Sequence, residues 1–214
     1  ISGIGTNILT IQGVETLGGV DSIDVIPDRI EAGTFLIAVA ATGGKVKLNN
    51  VEPKHMESVI SLLRKSNIDI VEDKDSIIVT SNGLDIKACD METHEYPGFP
   101  TDLQAQWMLL MSLASGNSTI KENIYFDRFT HILELNRLGC DVHLKEGSAT
   151  IKGDRSLIGA NVMSTDIRAS AALIIAALCA EGSTSISRVY HIDRGYDKIE
   201  EKLAMVGAKI ARKK

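Results

Sequence analysis

Aromatic residues, proline and cysteine are all scarce in this sequence. Aromatic side chains make up 4% of the chain, so the core has to be built from aliphatic residues, alanine and methionine. Cys89, Cys140 and Cys179 are widely spaced and form no CxxC pair, which argues against a disulfide framework and against a thiolate zinc site. No histidine pair has metal-ligand spacing and no HExxH motif occurs, so we expect no metal site.

Long apolar runs and an excess of basic residues are missing as well. The apolar runs are shorter than the roughly 20 residues that a helix needs to cross a bilayer, so no membrane span is expected. The formal net charge of −5 argues against nucleic acid as a partner. With 44% hydrophobic and 24% charged residues, the composition is that of a globular protein with one or two domains.

The sequence does contain a pattern that occurs three times. Each copy begins at a charged residue, continues as an apolar run rich in small residues, and then passes a glycine into a strand-like stretch. The copies begin at Arg29, Asp102 and Asp166. The first helix of each copy is apolar almost all round, which predicts that it is buried.

A second, amphipathic helical pattern follows in each copy. The three patterns end at residues that tolerate the left-handed conformation, namely Asn67, Gly139 and Gly207. Hairpins with alternating apolar residues follow the first two copies, and a single strand, "AKIARKK", follows the third. The unit is therefore helix, strand, helix and hairpin, with strands that keep one wet face.

These patterns predict an α/β fold in which three buried helices are flanked by outward-facing sheets. The three pseudo-repeated units cover about 28–100, 101–164 and 165–214, and the last is incomplete. Residues 1–14 resemble only the closing hairpin of such a unit. We therefore expect the chain to be a piece of a longer repeat protein, with an alternative, a complete domain with frayed ends, left open.

The second and third copies share an acid and an arginine that the first copy lacks. Asp102 is followed by Arg128, and Asp166 by Arg194 at the aligned position. Each aspartate follows a threonine at the start of a buried helix, where an ordinary helix N-cap is one interpretation. The other is a site, because parallel helices would bring these residues and Arg168 to one end.

Such a site would bind a small polyanion and would also carry a base. Helix N–H groups and arginine side chains bind phosphate or carboxylate. A carboxylate among them would stay ionised and could accept a proton. A surface ion pair is the alternative for any single arginine, including Arg168.

Three stretches carry a family resemblance: "YPGFPTDLQAQ", "STDIRASAALIIAALCAEG" and "YHIDRGYDKIEEKLAMVGAKI". With "PDRIEAGTFLIAVAATGG", they closely resemble the enolpyruvyl transferase family, specifically its UDP-N-acetylglucosamine 1-carboxyvinyltransferases, and cover the C-terminal half of the family's chain. The resemblance implies an inside-out α/β barrel domain over 28–214, with 1–27 as the tail of a missing first domain.

The resemblance also implies a reaction. The enolpyruvyl group of phosphoenolpyruvate is transferred to the 3'-hydroxyl of UDP-N-acetylglucosamine, phosphate leaves, and the product enters peptidoglycan synthesis in the cytoplasm. It implies no cofactor. The partners would be the two substrates and the missing N-terminal half.

By the same resemblance, the site residues receive roles. Asp102 contacts the sugar hydroxyl and is the candidate base, and Asp166 is a second catalytic acid with Arg168 beside it. Ile124 contacts the nucleotide sugar through its backbone. The substrate-binding arginines would be Arg128 and Arg194, which hold phosphoenolpyruvate, and Arg29 near the domain junction. Arg194 would also be catalytic, since it stabilises the charge of the intermediate.

Other groups that the family uses are missing from this sequence. The family's cysteine acid lies on a loop of its first domain, and the three cysteines here fall in the wrong places to replace it. We therefore expect this chain alone to be inactive or nearly so. Two alternatives stay open: a non-catalytic half-domain that associates with a separate first half, and 5-enolpyruvylshikimate-3-phosphate synthase, whose family fits the motifs less well.

Overall fold

The computed structural model describes residues 1–4, 6 and 8–213. Its elements alternate between helices and strands, and the α/β fold class predicted from the sequence is what the described residues form. The helices are α1 (Arg29–Thr42), α2 (Glu57–Lys65), α3 (Gln104–Leu113), α4 (Ile132–Arg137), α5 (Ile167–Cys179) and α6 (Ile199–Met205). The strands are β1 (Gly44–Asn49), β2 (Asp69–Glu72), β3 (Ser76–Ser81), β4 (Met91–Glu92), β5 (Asn117–Lys121), β6 (Asp141–Lys145), β7 (Ser148–Lys152), β8 (Asn161–Met163) and β9 (Ser185–Ser187).

The three apolar helices α1, α3 and α5 lie in the core and pack on one another. They are built largely of alanine, leucine, isoleucine and methionine, so they can be buried on every side. Gly33 of α1 allows a close approach, because a Cβ there would lie 2.4 Å from a methyl group of Leu103. This contact brings the first turns of α1 against the residues that lead into α3.

The amphipathic helices are where the sequence predicts them. The residues that follow them take the expected left-handed conformation, with φ of 70° at Asn67, 104° at Gly139 and 103° at Gly207. These residues end α2, α4 and α6 and turn the chain back toward the sheets.

The strands form three small sheets with the orders β1-β3-β2, β4-β5-β7-β6 and β8-β9. Both predicted hairpins are present, with β2 paired to β3 and β6 paired to β7. Along β5 and β7 the side chains alternate between exposed and buried, which gives the second sheet one wet face and one packed face.

Two strands were missed by the sequence prediction. β4 pairs in parallel with β5, and β8 pairs in parallel with β9. In the second and third copies a short strand therefore precedes the buried helix. Strands of two and three residues are too short to show an alternating pattern, so their sequences gave no signal.

One predicted strand is wrong. Residues 208–213, in "AKIARKK", form no strand, because no described segment pairs with them. At the other end, Ser2 and Thr10 form an antiparallel bridge in the region predicted as a closing hairpin; Gly5 and Asn7 lie outside the described residues. None of the helices in the described part of the chain is long and apolar enough to cross a membrane.

Candidate active site

Asp102 enters the site from a short 3-10 turn that precedes α3. The turn covers Thr101–Leu103, and Pro100 stands before it as a capping residue without a side-chain hydrogen bond. Asp102 therefore lies inside the turn and does not cap it. Its carboxylate stays available for contacts with other elements.

Two arginines from different units bind this carboxylate. Nη1 of Arg128 donates to one oxygen of Asp102 at 2.7 Å, and Nη2 of Arg168 donates to the other at 3.2 Å. Arg128 lies on the loop between β5 and α4, and Arg168 lies in the first turn of α5. The three side chains are 20–35% exposed, so a ligand can reach them.

The arginines control the charge of Asp102. Partial burial alone would raise the pKa of this carboxyl group, but the charges and hydrogen bonds of Arg168 and Arg128 outweigh burial and hold the pKa below its ordinary value. Burial likewise opposes the charge of Arg168, and the neighbouring Asp102 overrides it and raises the pKa of the guanidinium group. Asp102 is therefore an ionised carboxylate held by two cations at neutral pH.

Asp166 has a different position. Its backbone is extended and its side chain caps α5, where one oxygen accepts hydrogen bonds from the N–H groups of Arg168 at 2.8 Å and Ala169 at 2.9 Å. The N-cap interpretation describes this aspartate, whereas Asp102 departs from it. Asp166 nevertheless caps the same helix that carries Arg168.

The remaining predicted arginines, Arg194 and Arg29, form no ion pair with Asp102 in the described part of the chain. Arg194 ends the 3-10 helix Val189–Arg194, is exposed, and forms no ion pair within the described residues. The next residue, Gly195, lies over the start of α5, because a Cβ there would be 3.5 Å from Nη1 of Arg168. Arg29 begins α1 and stacks on the ring of Tyr96 at 5.2 Å.

Ile124 lies on the loop that leads to Arg128. Its side chain is 37% exposed, and its backbone N–H donates to a carboxylate oxygen of Glu122 at 2.9 Å. The N–H is thus already engaged inside the protein. The carbonyl is the remaining backbone group with which Ile124 could contact a ligand.

Glu122 is one of the residues that the sequence analysis missed. Its side chain is buried, 1% exposed, and it accepts four hydrogen bonds around the loop that carries Ile124 and Arg128. A single glutamate directly after a strand has no distinguishing sequence pattern. Only its position between strand and loop, six residues before Arg128, could have indicated it.

A buried polar network beneath the arginines was missed as well. The hydroxyl groups of Tyr196 and Thr34 are 2.8 Å apart, and Gln106 donates to Thr34 at 3.1 Å. Arg168 lies over the ring of Tyr196 at 5.9 Å. The network joins α1, α3 and the segment after Arg194, so it fixes how these elements meet under the site.

His131 lies in the core next to the cluster. It is 1% exposed, and burial, as the largest cause, lowers its pKa to about 4, with the charge of Arg128 acting in the same direction and Asp166 opposing. His131 is therefore neutral at physiological pH. Two of the cysteines are buried enough to stay as thiols: burial raises the pKa of Cys140 to about 11 and that of Cys179 to about 12.

The fold and the cluster together define an α/β protein with cationic side chains and one carboxylate gathered where its core helices begin. Residues 1–203 match the family model described as EPSP synthase (3-phosphoshikimate 1-carboxyvinyltransferase). The chain belongs to this family.

Curated relatives about half identical to this chain are also named as 1-carboxyvinyltransferases, but with UDP-N-acetylglucosamine in the name. A UDP-N-acetylglucosamine 1-carboxyvinyltransferase from Aliarcobacter butzleri is 49% identical over all of this chain and 51% of the relative. One from Bartonella henselae is 51% identical over 99% of this chain and 49% of the relative. The chain thus spans about half the length of the curated relatives it matches.

Solved structures agree on the fold. The enolpyruvyl transferase NikO from Streptomyces tendae has a TM-score of 0.82 at 24% identity and covers 88% of this chain and 45% of its own. An EPSP synthase from Acinetobacter baumannii has a TM-score of 0.69 at 18% identity and covers 86% and 46%. At these identities the structures support the α/β fold alone.

Proposed function

We propose that this chain is part of an enzyme that transfers the enolpyruvyl group of phosphoenolpyruvate to the 3'-hydroxyl of UDP-N-acetylglucosamine. Phosphate is the second product, and the reaction supplies a precursor of peptidoglycan in the cytoplasm. The observation that carries the proposal is the Asp102 carboxylate held between Arg128 at 2.7 Å and Arg168 at 3.2 Å. The names of relatives about 49% identical to this chain support the choice of substrates.

The proposed architecture is an inside-out α/β barrel domain of the enolpyruvyl transferase type. It would cover residues 28–214 in three pseudo-repeated units, with residues 1–27 as the tail of a first domain. The packing of α1, α3 and α5 in the core supports it, as does the parallel strand that precedes the buried helix in the second and third units. The other domain would close over the cluster and exclude water.

Asp102 is the proposed base. Transfer requires a proton to leave the sugar hydroxyl as the new C–O bond forms, and an ionised carboxylate can accept it. Both Asp102 oxygens are engaged by arginines, which makes the carboxylate a weak base in this state. Phosphoenolpyruvate brings phosphate and carboxylate groups that compete for the same arginines, so its binding would return Asp102 to ordinary basicity.

Arg128 and Arg194 are the proposed ligands of phosphoenolpyruvate. Arg194 is exposed, precedes Gly195 at the start of α5, and has no ion-pair partner within the described residues, so an anion could bind it without displacing a described partner. Fixed cations stabilise the charge that develops on the tetrahedral intermediate without reorganising during the reaction. Arg168 would hold Asp102 in place and then help to bind the anion.

Asp166, Ile124 and Arg29 receive the remaining three roles. Asp166 would act as a second acid through Oδ2, which does not cap α5 and accepts a hydrogen bond from the hydroxyl of Thr165 at 3.3 Å. Ile124 would contact the nucleotide sugar through its carbonyl, and Arg29 would lie near the junction of the two domains. Their support is the match to the family's motifs.

Phosphate release tests the proposal. The protein in its full natural length should release phosphate from phosphoenolpyruvate only when UDP-N-acetylglucosamine is present. This chain by itself should release almost none, because half of the charged site would be absent. Full turnover by the isolated chain would contradict the assignment of a second catalytic half.

A shikimate-pathway activity is the second candidate, since the matching family model carries the description EPSP synthase. Shikimate 3-phosphate and UDP-N-acetylglucosamine share little beyond anionic charge, so the acceptor decides between them. Phosphate release with shikimate 3-phosphate alone would replace the proposed acceptor. A non-catalytic half-domain would release phosphate with neither acceptor, even in the full-length protein.

A further inference from the structure

Glu122 places a buried carboxylate at the point where three parts of the site meet. Its Oε1 accepts from the hydroxyl of Thr93 at 2.7 Å and from the N–H groups of Ile124 at 2.9 Å and Tyr125 at 3.0 Å. Its Oε2 accepts from the hydroxyl of Thr101 at 2.9 Å. No arginine or lysine pairs with it among the described residues, so hydrogen bonds alone stabilise it.

These bonds reach both partners of the ion pair. Thr101 is bonded covalently to Asp102, so the Thr101 hydroxyl fixes the turn that presents this carboxylate. On the other side, Ile124 and Tyr125 lie on the same loop as Arg128, and Arg128 also donates weakly to the carbonyl of Thr101 at 3.4 Å. The buried Glu122 side chain therefore holds both the turn that carries Asp102 and the loop that carries Arg128.

Thr93, which directly follows β4, extends this hydrogen-bond network to that strand. Its hydroxyl oxygen accepts the N–H of Asn123 at 2.8 Å while donating to Glu122, and its own N–H donates to the carbonyl of Lys121. The loop after β5 is thus tied at three successive residues. Such ties leave the loop little freedom before it reaches Arg128.

The same bonds set the direction of a backbone carbonyl. A trans peptide group is planar, so its N–H and its C=O point in opposite directions. Because the N–H of Tyr125 points at buried Glu122, the carbonyl of Ile124 points away from it. This is the carbonyl through which Ile124 is proposed to contact the nucleotide sugar.

The third unit has no equivalent of this carboxylate. When Arg128 is aligned with Arg194, Glu122 falls on Arg188, which has a left-handed backbone with φ of 58°. In that unit Arg194 forms no ion pair within the described part of the chain, and Asp166 caps α5. The closed ion pair and the buried glutamate therefore occur together, in the second unit.

We infer that Glu122 is a positioning residue, whose buried carboxylate sets the geometry of the Asp102–Arg128 pair and turns the Ile124 carbonyl toward the sugar nucleotide. Burying a carboxylate without a cation is costly, so fold stability alone is a poor reason for its presence. The part that concerns the sugar nucleotide rests on the proposed function. The part that concerns the ion pair does not.

Binding of the sugar nucleotide by the full-length protein tests the first part. Glu122→Ala should raise the Kd for UDP-N-acetylglucosamine, measured by calorimetry, at least tenfold. Glu122→Gln keeps an acceptor oxygen for the two N–H groups and should stay within about threefold. The control is Glu134→Ala, which removes another buried carboxylate, bonded to the N–H of Met163 at 3.0 Å and paired with Arg137 at 3.6 Å. It should lower Tm and leave this Kd within twofold; a loss below tenfold in Glu122→Ala overturns this part.

The pKa of Asp102 tests the second part without any substrate. It can be followed by NMR of carboxyl-labelled aspartate in the full-length protein, with Asp102→Asn for assignment. In Glu122→Ala the pKa of Asp102 should rise toward its ordinary value, because Arg128 is no longer held against it. An unchanged pKa overturns the inference.

The two readouts separate the failures. If the unsubstituted protein does not bind UDP-N-acetylglucosamine, the proposed function fails, while the NMR titration still decides the role of Glu122. If Glu122→Ala does not fold, Thr101→Val removes the Thr101 link alone with little change in side-chain shape. The pKa of Asp102 should then rise by a smaller amount, and no rise overturns the inference.

Discussion

The second and third units carry the same acid and arginine at similar spacing, yet they use them differently. In the second unit Asp102 and Arg128 form an ion pair, with Arg168 joining from the third. In the third unit Asp166 caps α5, and Arg194 is exposed. The difference arises because a 3-10 turn precedes α3, which places Asp102 inside a turn, whereas α5 starts directly after Asp166.

This comparison shows what a repeated pattern can specify. Repetition placed both aspartates at helix starts on the same end of the core. The local backbone then decided which carboxylate is free for other elements and which is used by its own helix. The second unit contributes an ion-paired carboxylate, and the third contributes an exposed arginine for which the described residues supply no ion-pair partner.

Asp102→Asn should have the largest effect. In the full-length protein kcat should fall about 10³-fold, within the range for removal of a general base, because the amide cannot accept the hydroxyl proton. The measurement is phosphate release at saturating substrates. Asp127→Asn, at an exposed residue next to Arg128, is the control and should keep the parent kcat. A kcat for Asp102→Asn within tenfold of the parent would show that Asp102 is not the general base.

Acid should destabilise the protein through His131, which lies in the second unit and is close enough to Asp166 of the third to feel its charge. Its pKa is lowered from 6.5 to about 4 in the folded state, so the unfolded chain takes up a proton first as the pH falls. Stability is therefore lost between those two values, by about 2 kcal/mol between pH 7 and pH 4.5. Urea unfolding at the two pH values measures the loss.

His131→Gln removes the titrating group, and its unfolding free energy should lose that part of the pH dependence. His143→Gln is the matched control, because His143 is exposed beside Asp141 and should keep the parent behaviour. Equal pH dependence in the two variants would show that another group causes the loss.

The fold was largely predictable from the sequence because its signals are long. Apolar helices, amphipathic helices and hairpins each span many residues, and the left-handed turns after them fall on asparagine or glycine. β4 and β8 could not be predicted, since two or three residues show no period and their pairing with β5 and β9 is set by the chain's path. The strand expected in "AKIARKK" has no described partner strand. Whether a partner strand is available depends on the tertiary structure, which the local pattern does not specify.

The site was predictable at the level of charge and less so at the level of geometry. Aspartate and arginine at matching positions predicted that one end of the core would hold Asp102, Asp166, Arg128, Arg168 and Arg194. Three of these five, Asp102, Arg128 and Arg168, form ion pairs with one another. The pattern could not distinguish Asp166 as a cap from Asp102 as a partner of arginines, because that depends on one extra turn of backbone. Glu122 and Tyr196 act through contacts distant in sequence, which a single chain does not reveal.

Arg128→Ala should destabilise the fold while Arg194→Ala does not. Removing Arg128 breaks a partly buried pair and leaves Asp102 with Arg168, at an expected loss of about 1–2 kcal/mol. Arg194 is an exposed side chain, and its replacement should change stability by about 0.5 kcal/mol or less. Urea unfolding of both variants checks the contrast. Equal losses would mean that Arg194 also has a partner in solution.

The smallest expected effect separates the cap of Asp166 from its proposed chemistry. Asp166→Ala should cost about 1 kcal/mol of unfolding free energy because α5 loses its cap, whereas asparagine caps as well as aspartate, so Asp166→Asn should cost little. Asp28 caps α1 through the same two N–H positions, at 2.8 and 3.1 Å, so Asp28→Ala is a matched control for stability.

Activity then decides the role of Asp166. If Asp166→Asn keeps its stability and loses kcat in the full-length protein, the charge of Asp166 acts in the reaction in addition to capping. If Asp166→Asn retains the parent kcat, Asp166 is a cap of the same kind as Asp28. The third unit would then contribute arginines to the site, and Asp102 alone would supply its carboxylate from this chain.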